Sequence, residues 1–233
     1  MHYFFDPDIS ENSTHLSSGE LVHFKALRIL AGDEIVVSSG KGFGFLAKVV
    51  DPSSGEITIV ERLKSQPGTR IHLVQAVAKG GRDESALQAC TELGISGATA
   101  LQAERSVARW DGKIAKNTER WQQIAISALK QSQQLDLPAI DFASSVSELV
   151  PKGIGLVLDP RAEAQIGAVE KHDSYTIVVG PEGGFSEAEL SVLVNSGFRA
   201  VRLGDSILRT STASPVAVAC LNLLAGDFGN RLD

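Results

Sequence analysis

The rhythm of apolar and polar positions changes character near residue 66. Before it, short apolar runs alternate with turn residues. Glu34-Ile35-Val36-Val37 and the run 43–50 flank a Ser- and Gly-rich turn at 38–42, and Glu56-Ile57-Thr58-Ile59-Val60 alternates with period two. That pattern predicts a small β-rich unit. A short helix is expected over 19–29, capped by Ser18 and ended near Gly32. The polar stretch 64–70 carries a Pro67-Gly68 break, which places a domain boundary there and leaves domains at 1–66 and 71–233. Beyond it, strand-like runs alternate with helical ones. An apolar run at 71–78 precedes a helix over 84–93, opened by Asp83 and stopped by Gly94. A strand at 98–103 follows, then a long helix from 113 to about 134, ended before Pro138. The runs 154–158 and 175–179 are short and wholly apolar, as in strands covered on both faces. A last strand at 200–203 leads to a helix ending near Ala225. This alternation predicts an α/β fold with a mostly parallel, doubly wound sheet.

Composition narrows the class without naming a function. Apolar residues make up 43% and charged residues 21%, enough for a packed core. No window approaches the roughly 18 uninterrupted apolar residues of a membrane span. The start Met1-His2-Tyr3-Phe4-Phe5-Asp6 lacks a basic stretch followed by an apolar run, so no secretory signal is expected and the cytoplasm is the expected location. Cys90 and Cys220 lie in helical, apolar surroundings and read as buried thiols. The net charge of −6 argues against indiscriminate coating of nucleic acid. Yet Arg105, Arg109, Lys113, Lys116, Arg120 and Lys130 face only Asp111 and Glu119 in their segment. That local basic excess reads equally as an RNA contact or as a solvated helix face.

Two segments carry chemistry. In the first, an apolar strand runs through Val179 into Gly180-Pro181-Glu182-Gly183-Gly184-Phe185 and then a helix. Ser186 and Glu189 have capping-box spacing, and Phe185 and Leu190 have the spacing of a hydrophobic staple. With the helix start fixed locally, the glycines can let a flat ligand approach the main chain at a strand end. The second segment, Leu203-Gly204-Asp205-Ser206-Ile207-Leu208-Arg209-Thr210-Ser211-Thr212, repeats the strand-to-helix transition. Together the two could enclose an adenosine-like group, with apolar contact from Ile207 and Leu208 and a planar fork from Arg209 for a carboxylate or phosphate. The plainer readings are a tight turn for the first, and N-capping by Thr210, Ser211, Thr212 or Ser214 for the second.

Several alternatives drop out. No P-loop motif is present, and no G-x-G-x-x-G follows the first strand of the α/β part. A nicotinamide or nucleotide oxidoreductase is therefore disfavoured. Gly40-Lys41-Gly42-Phe43-Gly44 lies between β runs and reads as a hairpin turn. The five histidines are scattered and the cysteines lack ligand spacing, so no metal site is expected.

At these two loops the chain resembles the RsmE family, 16S ribosomal RNA (uracil N3) methyltransferases of the SPOUT class. The resemblance rests on 179–186, Leu203-Gly204 and Ile207-Leu208-Arg209-Thr210. It extends through Thr91-Glu92-Leu93-Gly94, Glu104-Arg105-Ser106-Val107, and Gln131-Ser132 with Pro138. In the first domain it takes in His23, Leu27-Arg28, Gly32-Asp33-Glu34-Ile35 and Gly40. The resemblance implies a SPOUT-type trefoil-knotted α/β domain preceded by a small PUA-like β-barrel domain that binds RNA. It further implies a homodimer, S-adenosyl-L-methionine as cofactor, and a uridine in the decoding region of 16S rRNA in the small ribosomal subunit as substrate. On that basis Val179, Gly180, Pro181, Glu182, Gly183, Gly184, Leu203, Gly204, Ile207 and Leu208 are expected to bind the cofactor, mainly through backbone. Arg209, Thr210 and Thr212 are the catalytic candidates, and Lys25, Arg28, Arg105 and Arg109 the RNA contacts. The chain departs from the family at Ser211, where an acid is common, at Ala89 (a lysine), at Gln134 and at His2 (arginines). The other reading is a non-catalytic RNA-binding module of the same fold.

Overall fold

The computed structural model describes residues 1–66 and 68–227; Pro67 of the expected boundary and residues 228–233 of the expected second domain lie outside them. The chain divides into two compact units: Met1–Gln66 with Ile126–Leu137 forms one, and the rest of the described chain forms the other.

In the first unit, strands β1 (His2–Phe5), β2 (Glu34–Ser38), β3 (Phe43–Asp51) and β4 (Glu56–Lys64) form one sheet in that order. β1 is parallel to β2, and the other pairs are antiparallel. The alternation in β3 turns Phe45, Ala47 and Val49 inward, where they meet Ile35, Val37 and Ile57. Helix α1 (Ser18–Leu27) adds Phe24, packed edge-on against Phe4 with ring centroids 4.7 Å apart. Two expectations shift here. Ser17, not Ser18, precedes the helix, and neither supplies a side-chain cap; the helix ends at Arg28 in the left-handed region (φ 56°), before Gly32. The 38–42 segment is the β2–β3 turn, and its Gly40 (φ 72°) and Gly42 (φ 81°) supply angles costly for other residues. Gly42 N–H donates to the Leu135 carbonyl and Leu137 N–H to that of Gly40.

The second unit contains β5 (Arg70–Ala76), α2 (Arg82–Glu92), β6 (Gly97–Leu101), β7 (Ala139–Ala143), β8 (Ile154–Leu158), β9 (Ser174–Val179), α4 (Glu187–Asn195), β10 (Phe198–Val201) and α5 (Thr210–Ala225). Helix α3 (Ile114–Gln131) starts in it. The six strands are all parallel, in the order β10-β8-β9-β5-β6-β7. Consecutive residues of the central strands enter different apolar clusters. Leu73 and Ile177 join Leu87, Trp121, Val218 and Leu221, while Val74 and Val178 join Leu101, Leu193 and Phe198. Both faces are covered, so these strands lack alternation. Each such side chain contributes about 1.5–3 kcal/mol by leaving water. The fold is thus mixed α/β.

Three local expectations are corrected. Left-handed Gly81 (φ 71°) precedes α2, and Asp83 sits inside its first turn, not at its cap. Burial pushes the Asp83 carboxyl upward against the backbone hydrogen bonds it accepts. The last strand ends at Val201, so Leu203 belongs to the loop. β7 and β1 were not anticipated: each is a short edge strand with a mixed pattern.

Candidate cofactor and active site

Because the strands are parallel, the loops after β5, β6, β9 and β10 leave one edge of the sheet. The loop after β9 is closed by Gly184 N–H donating to the Pro181 carbonyl at 2.9 Å, with Gly184 at φ 64°. The capping box at the head of α4 is present. Ser186 Oγ accepts from Glu189 N–H (3.2 Å), and Glu189 Oε2 accepts from Ser186 N–H (2.9 Å). The other Glu189 oxygen accepts from Glu104 N–H at 2.8 Å, which ties in the loop after β6. Arg105 completes that link by donating to the carbonyls of Gly183 (3.1 Å) and Phe185 (3.4 Å). Gly183 lies so close beneath it that a Cβ there would stand 3.3 Å from the Cβ of Arg105.

Glu182 is paired with Arg82 at 2.7 Å. Burial would raise its carboxyl, but its own backbone N–H and the Arg82 guanidinium outweigh that and hold it below the usual carboxylate range. It is a loop-fixing anion and a poor proton acceptor.

The loop after β10 is built differently. Among the described residues, no backbone N–H or carbonyl from Leu203 to Leu208 enters a hydrogen bond, and the loop's one internal link is the Arg202–Asp205 ion pair at 2.6 Å. Leu203 and Leu208 pack on the core, whereas Ile207 is 83% exposed. A Cβ on Gly204 would meet nothing within 4 Å. The next helix, α5, begins without a side-chain cap; Arg209 occupies the N-cap position. The capping reading of Thr210, Ser211, Thr212 and Ser214 is therefore overturned. Thr210 is 5% exposed, and its hydroxyl donates to the Gly180 carbonyl at 3.0 Å. That bond brings the two loops together. Arg209 and Thr212 remain exposed, and neither side chain has a hydrogen-bond partner among the described residues.

Of the RNA-contact candidates, Lys25 and Arg28 are exposed in the first unit, at the end of α1. Arg105 serves the glycine loop, and Arg109 pairs with Asp111 at 3.2 Å. Arg120 pairs with Glu84 and Lys130 with Glu20, carboxylates from outside that segment, so part of its basic excess is neutralised locally. Sequence reasoning missed Gln75, Arg82 and Glu189's second bond. Only Gln75 left a signal: a lone carboxamide in an otherwise apolar strand end. Among the described residues no group of three or more His, Cys, Asp or Glu could hold a metal, and no helix is long and apolar enough to cross a membrane.

Comparison with known proteins gives a consistent result. The RNA methyltransferase domain family matches residues 64–222. The ribosomal RNA small subunit methyltransferase E of Mycobacterium bovis is 37% identical over 213 residues, covering 84% of this chain and 80% of the relative. The protein of that name from Aquifex aeolicus is 32% identical over 231 residues, covering 95% and 99%. Among solved structures, ribosomal RNA small subunit methyltransferase E from Neisseria gonorrhoeae bound to S-adenosyl methionine superposes with a TM-score of 0.86 at 29% identity, over 98% of this chain and 99% of the other. A putative methyltransferase from Legionella pneumophila in complex with the same cofactor gives 0.85 at 26% identity, over 95% and 96%.

Proposed function

The chain belongs to the RNA methyltransferase family, in its ribosomal RNA small subunit methyltransferase E branch, and from that premise we propose that it uses S-adenosylmethionine to methylate uracil N3 of a uridine in the decoding region of 16S rRNA within the small ribosomal subunit. The observation that carries this reading is the loop from Leu203 to Leu208, whose backbone donors and acceptors are unspent beside an exposed Ile207 and an open Gly204. Leu203 and Leu208 are half-buried, where main-chain groups are normally paired, and the exposed run between them is open to a ligand that brings both an edge to hydrogen-bond and a face to cover. An adenosine has both. The residues present therefore fit the cofactor: Leu203, Gly204, Ile207 and Leu208 from one loop, and 179–184 from the other.

When bound, the cofactor supplies an already activated methyl group on its sulfonium. The chain's own task is to hold uracil N3 in line with it and to ease loss of the imide proton. Positioning of this kind supplies roughly 7–11 kcal/mol in favourable cases. Arg209, exposed and unpaired at the head of α5, stabilises the negative charge that develops on the uracil oxygens. Thr212, one turn into that helix, orients the base. Thr210 acts one step back, since its hydroxyl is committed to Gly180. Glu182 is not the proton acceptor, because Arg82 holds it as a paired anion.

The same reading assigns a PUA-like RNA-binding domain to 1–66, with Lys25 and Arg28 as contacts, and a knotted SPOUT domain to 71–233, acting as a cytoplasmic homodimer in ribosome biogenesis. The knotted topology is inferred from the family; in the fold, α5 packs on α2, and Asn222 Nδ2 donates to the Leu93 carbonyl. The test is mass spectrometry of 16S rRNA nucleosides from cells with and without the gene. Loss of one N3-methyluridine is expected; an unchanged nucleoside profile refutes the assignment. Calorimetric titration with S-adenosylmethionine separates the enzyme from a non-catalytic RNA-binding module, which would give no saturable heat.

A further inference from the structure

Gln75 lies next to the end of β5 and is 0% exposed, an unusual place for a carboxamide. Both of its amide hydrogens and its oxygen are engaged. Its Nε2 donates to Thr210 Oγ1 at 2.8 Å and to the Ala76 carbonyl at 3.0 Å, while its Oε1 accepts from Ser214 Oγ. Thr210 Oγ1 in turn donates to the Gly180 carbonyl at 3.0 Å. The direction of this chain follows from chemistry. A carbonyl can only accept, so the single Thr210 hydrogen goes to Gly180, and the group facing the Thr210 oxygen must be a donor. That fixes the NH2 of Gln75 toward Thr210 and its oxygen toward Ser214. A carboxylate could not take the place of the amide.

We propose that Gln75 is a positioning residue of the methyl-transfer site: through Thr210 it sets the Gly180 carbonyl, hence the attitude of the glycine turn, and through Ser214 it seats the first turns of α5 behind Arg209. One side chain thereby aligns the two cofactor loops, which stand on β9 and β10 with β8 between them in the sheet. The proposal rests on the cofactor reading above but makes separate demands. It requires an amide donor at 75, not merely a side chain that fills the space.

The test uses the full chain, with S-adenosylmethionine affinity measured by calorimetry at about pH 6 and pH 8.5 and the melting temperature measured alongside. In Gln75→Glu at high pH, an ionised carboxylate has no hydrogen for Thr210. Thr210 must then turn its own hydrogen to position 75 and abandon Gly180, so affinity should fall by about thirtyfold or more. At low pH affinity should partly return. Burial raises a carboxyl pKa, and the acid form again has a donor. Gln75→Met leaves the Thr210–Gly180 bond in place and should lose roughly three- to tenfold, independent of pH. Equal affinity of Gln75→Glu and the unmodified chain at both pH values overturns the proposal, as does a loss in Gln75→Met as large as that in Gln75→Glu. If melting shows that Gln75→Glu does not fold, the pair Gln75→Met and Thr210→Val decides. Their effects on affinity should be strongly non-additive, and simple additivity rejects the relay. No heat from the unmodified chain would instead sink the cofactor reading itself, a result distinct from any of these.

Discussion

Gly183→Val probes how the glycine loop is held. Gly183 has no left-handed backbone angle, so its requirement is spatial: an added Cβ would sit 3.3 Å from the Cβ of Arg105 and 3.6 Å from its Cδ. The γ-methyls of valine would fall inside those distances. The neighbour that must yield is Arg105, whose guanidinium donates to the Gly183 and Phe185 carbonyls. Overpacking costs about 1–3 kcal/mol, and the two charge-assisted bonds, one exposed and one part-buried, contribute about 1 kcal/mol together after solvent screening. A loss near 2–3 kcal/mol, confined to the loop, corresponds to roughly 30- to 150-fold in cofactor affinity. The assay is calorimetric titration with S-adenosylmethionine beside a thermal melt, and the melt should shift by only a few degrees because the loop lies outside the core. Arg105→Ala retains the Cβ and should not rescue Gly183→Val, whereas Arg105→Gly should recover part of the affinity. Normal affinity in Gly183→Val, or equal rescue by both Arg105 variants, would refute this account of the loop.

Arg209→Ala should lower single-turnover methyl transfer by about 10²–10³ with little change in melting, since the side chain is exposed and unpaired; unchanged turnover ends its catalytic assignment. The His72 imidazole is held below its usual 6.5 by burial, with the Lys152 charge adding to this and Asp141 opposing it. Between its folded value and 6.5 the unfolded chain binds more protons, so stability should rise with pH up to about 6.5 and be lost as pH falls through the folded value. Urea midpoints at about pH 5 and pH 7.5 should differ in this sense, and less so in His72→Gln. Burial pushes the Cys90 thiol far up, so the native protein should leave it unmodified by a thiol reagent over hours while Cys220, half-buried, reacts first. Early modification of Cys90 would contradict its placement.

The parts of this molecule legible in the sequence were those set by local physics. The strand at 154–158 was read to the residue, and the head of α4 was announced by Ser186 and Glu189. In both cases the determinant lies within a few positions. What escaped depended on distant partners. Nothing near Asp83 says that Gly81 takes the left-handed turn before the helix, or that Asp83 is then buried inside it. The hydroxyls at 210 and 214 looked like caps because a helix start follows them, yet Thr210 donates to Gly180 and Ser214 reaches Gln75 as well as the Thr210 carbonyl, and both Gly180 and Gln75 lie at least 30 residues away along the chain. The basic run from Arg105 likewise has partners that its own sequence does not show. Arg120 meets Glu84 and Lys130 meets Glu20, carboxylates that only the fold brings near.

These misses share a direction, and it bears on how the site is built. Apart from those at 206, 209 and 212, the polar side chains around the sheet edge are largely committed to the protein itself: Glu189 to Glu104 and Ser186, Arg105 to two carbonyls, Glu182 to Arg82, Gln75 and Ser214 to the head of α5. The segment 203–208 is the opposite case, with its main chain uncommitted and its side chains, apart from Asp205 paired with Arg202, either packed on the core or open. On the cofactor reading proposed above, a site organised this way recognises its ligand with backbone, which reads the edge of a flat ring and imposes no residue identity beyond glycine where space is needed. The side chains then act as scaffolding that keeps the backbone still. That division explains why the recognisable residues at this edge are glycines while the residues that hold it in shape are scattered through the sequence.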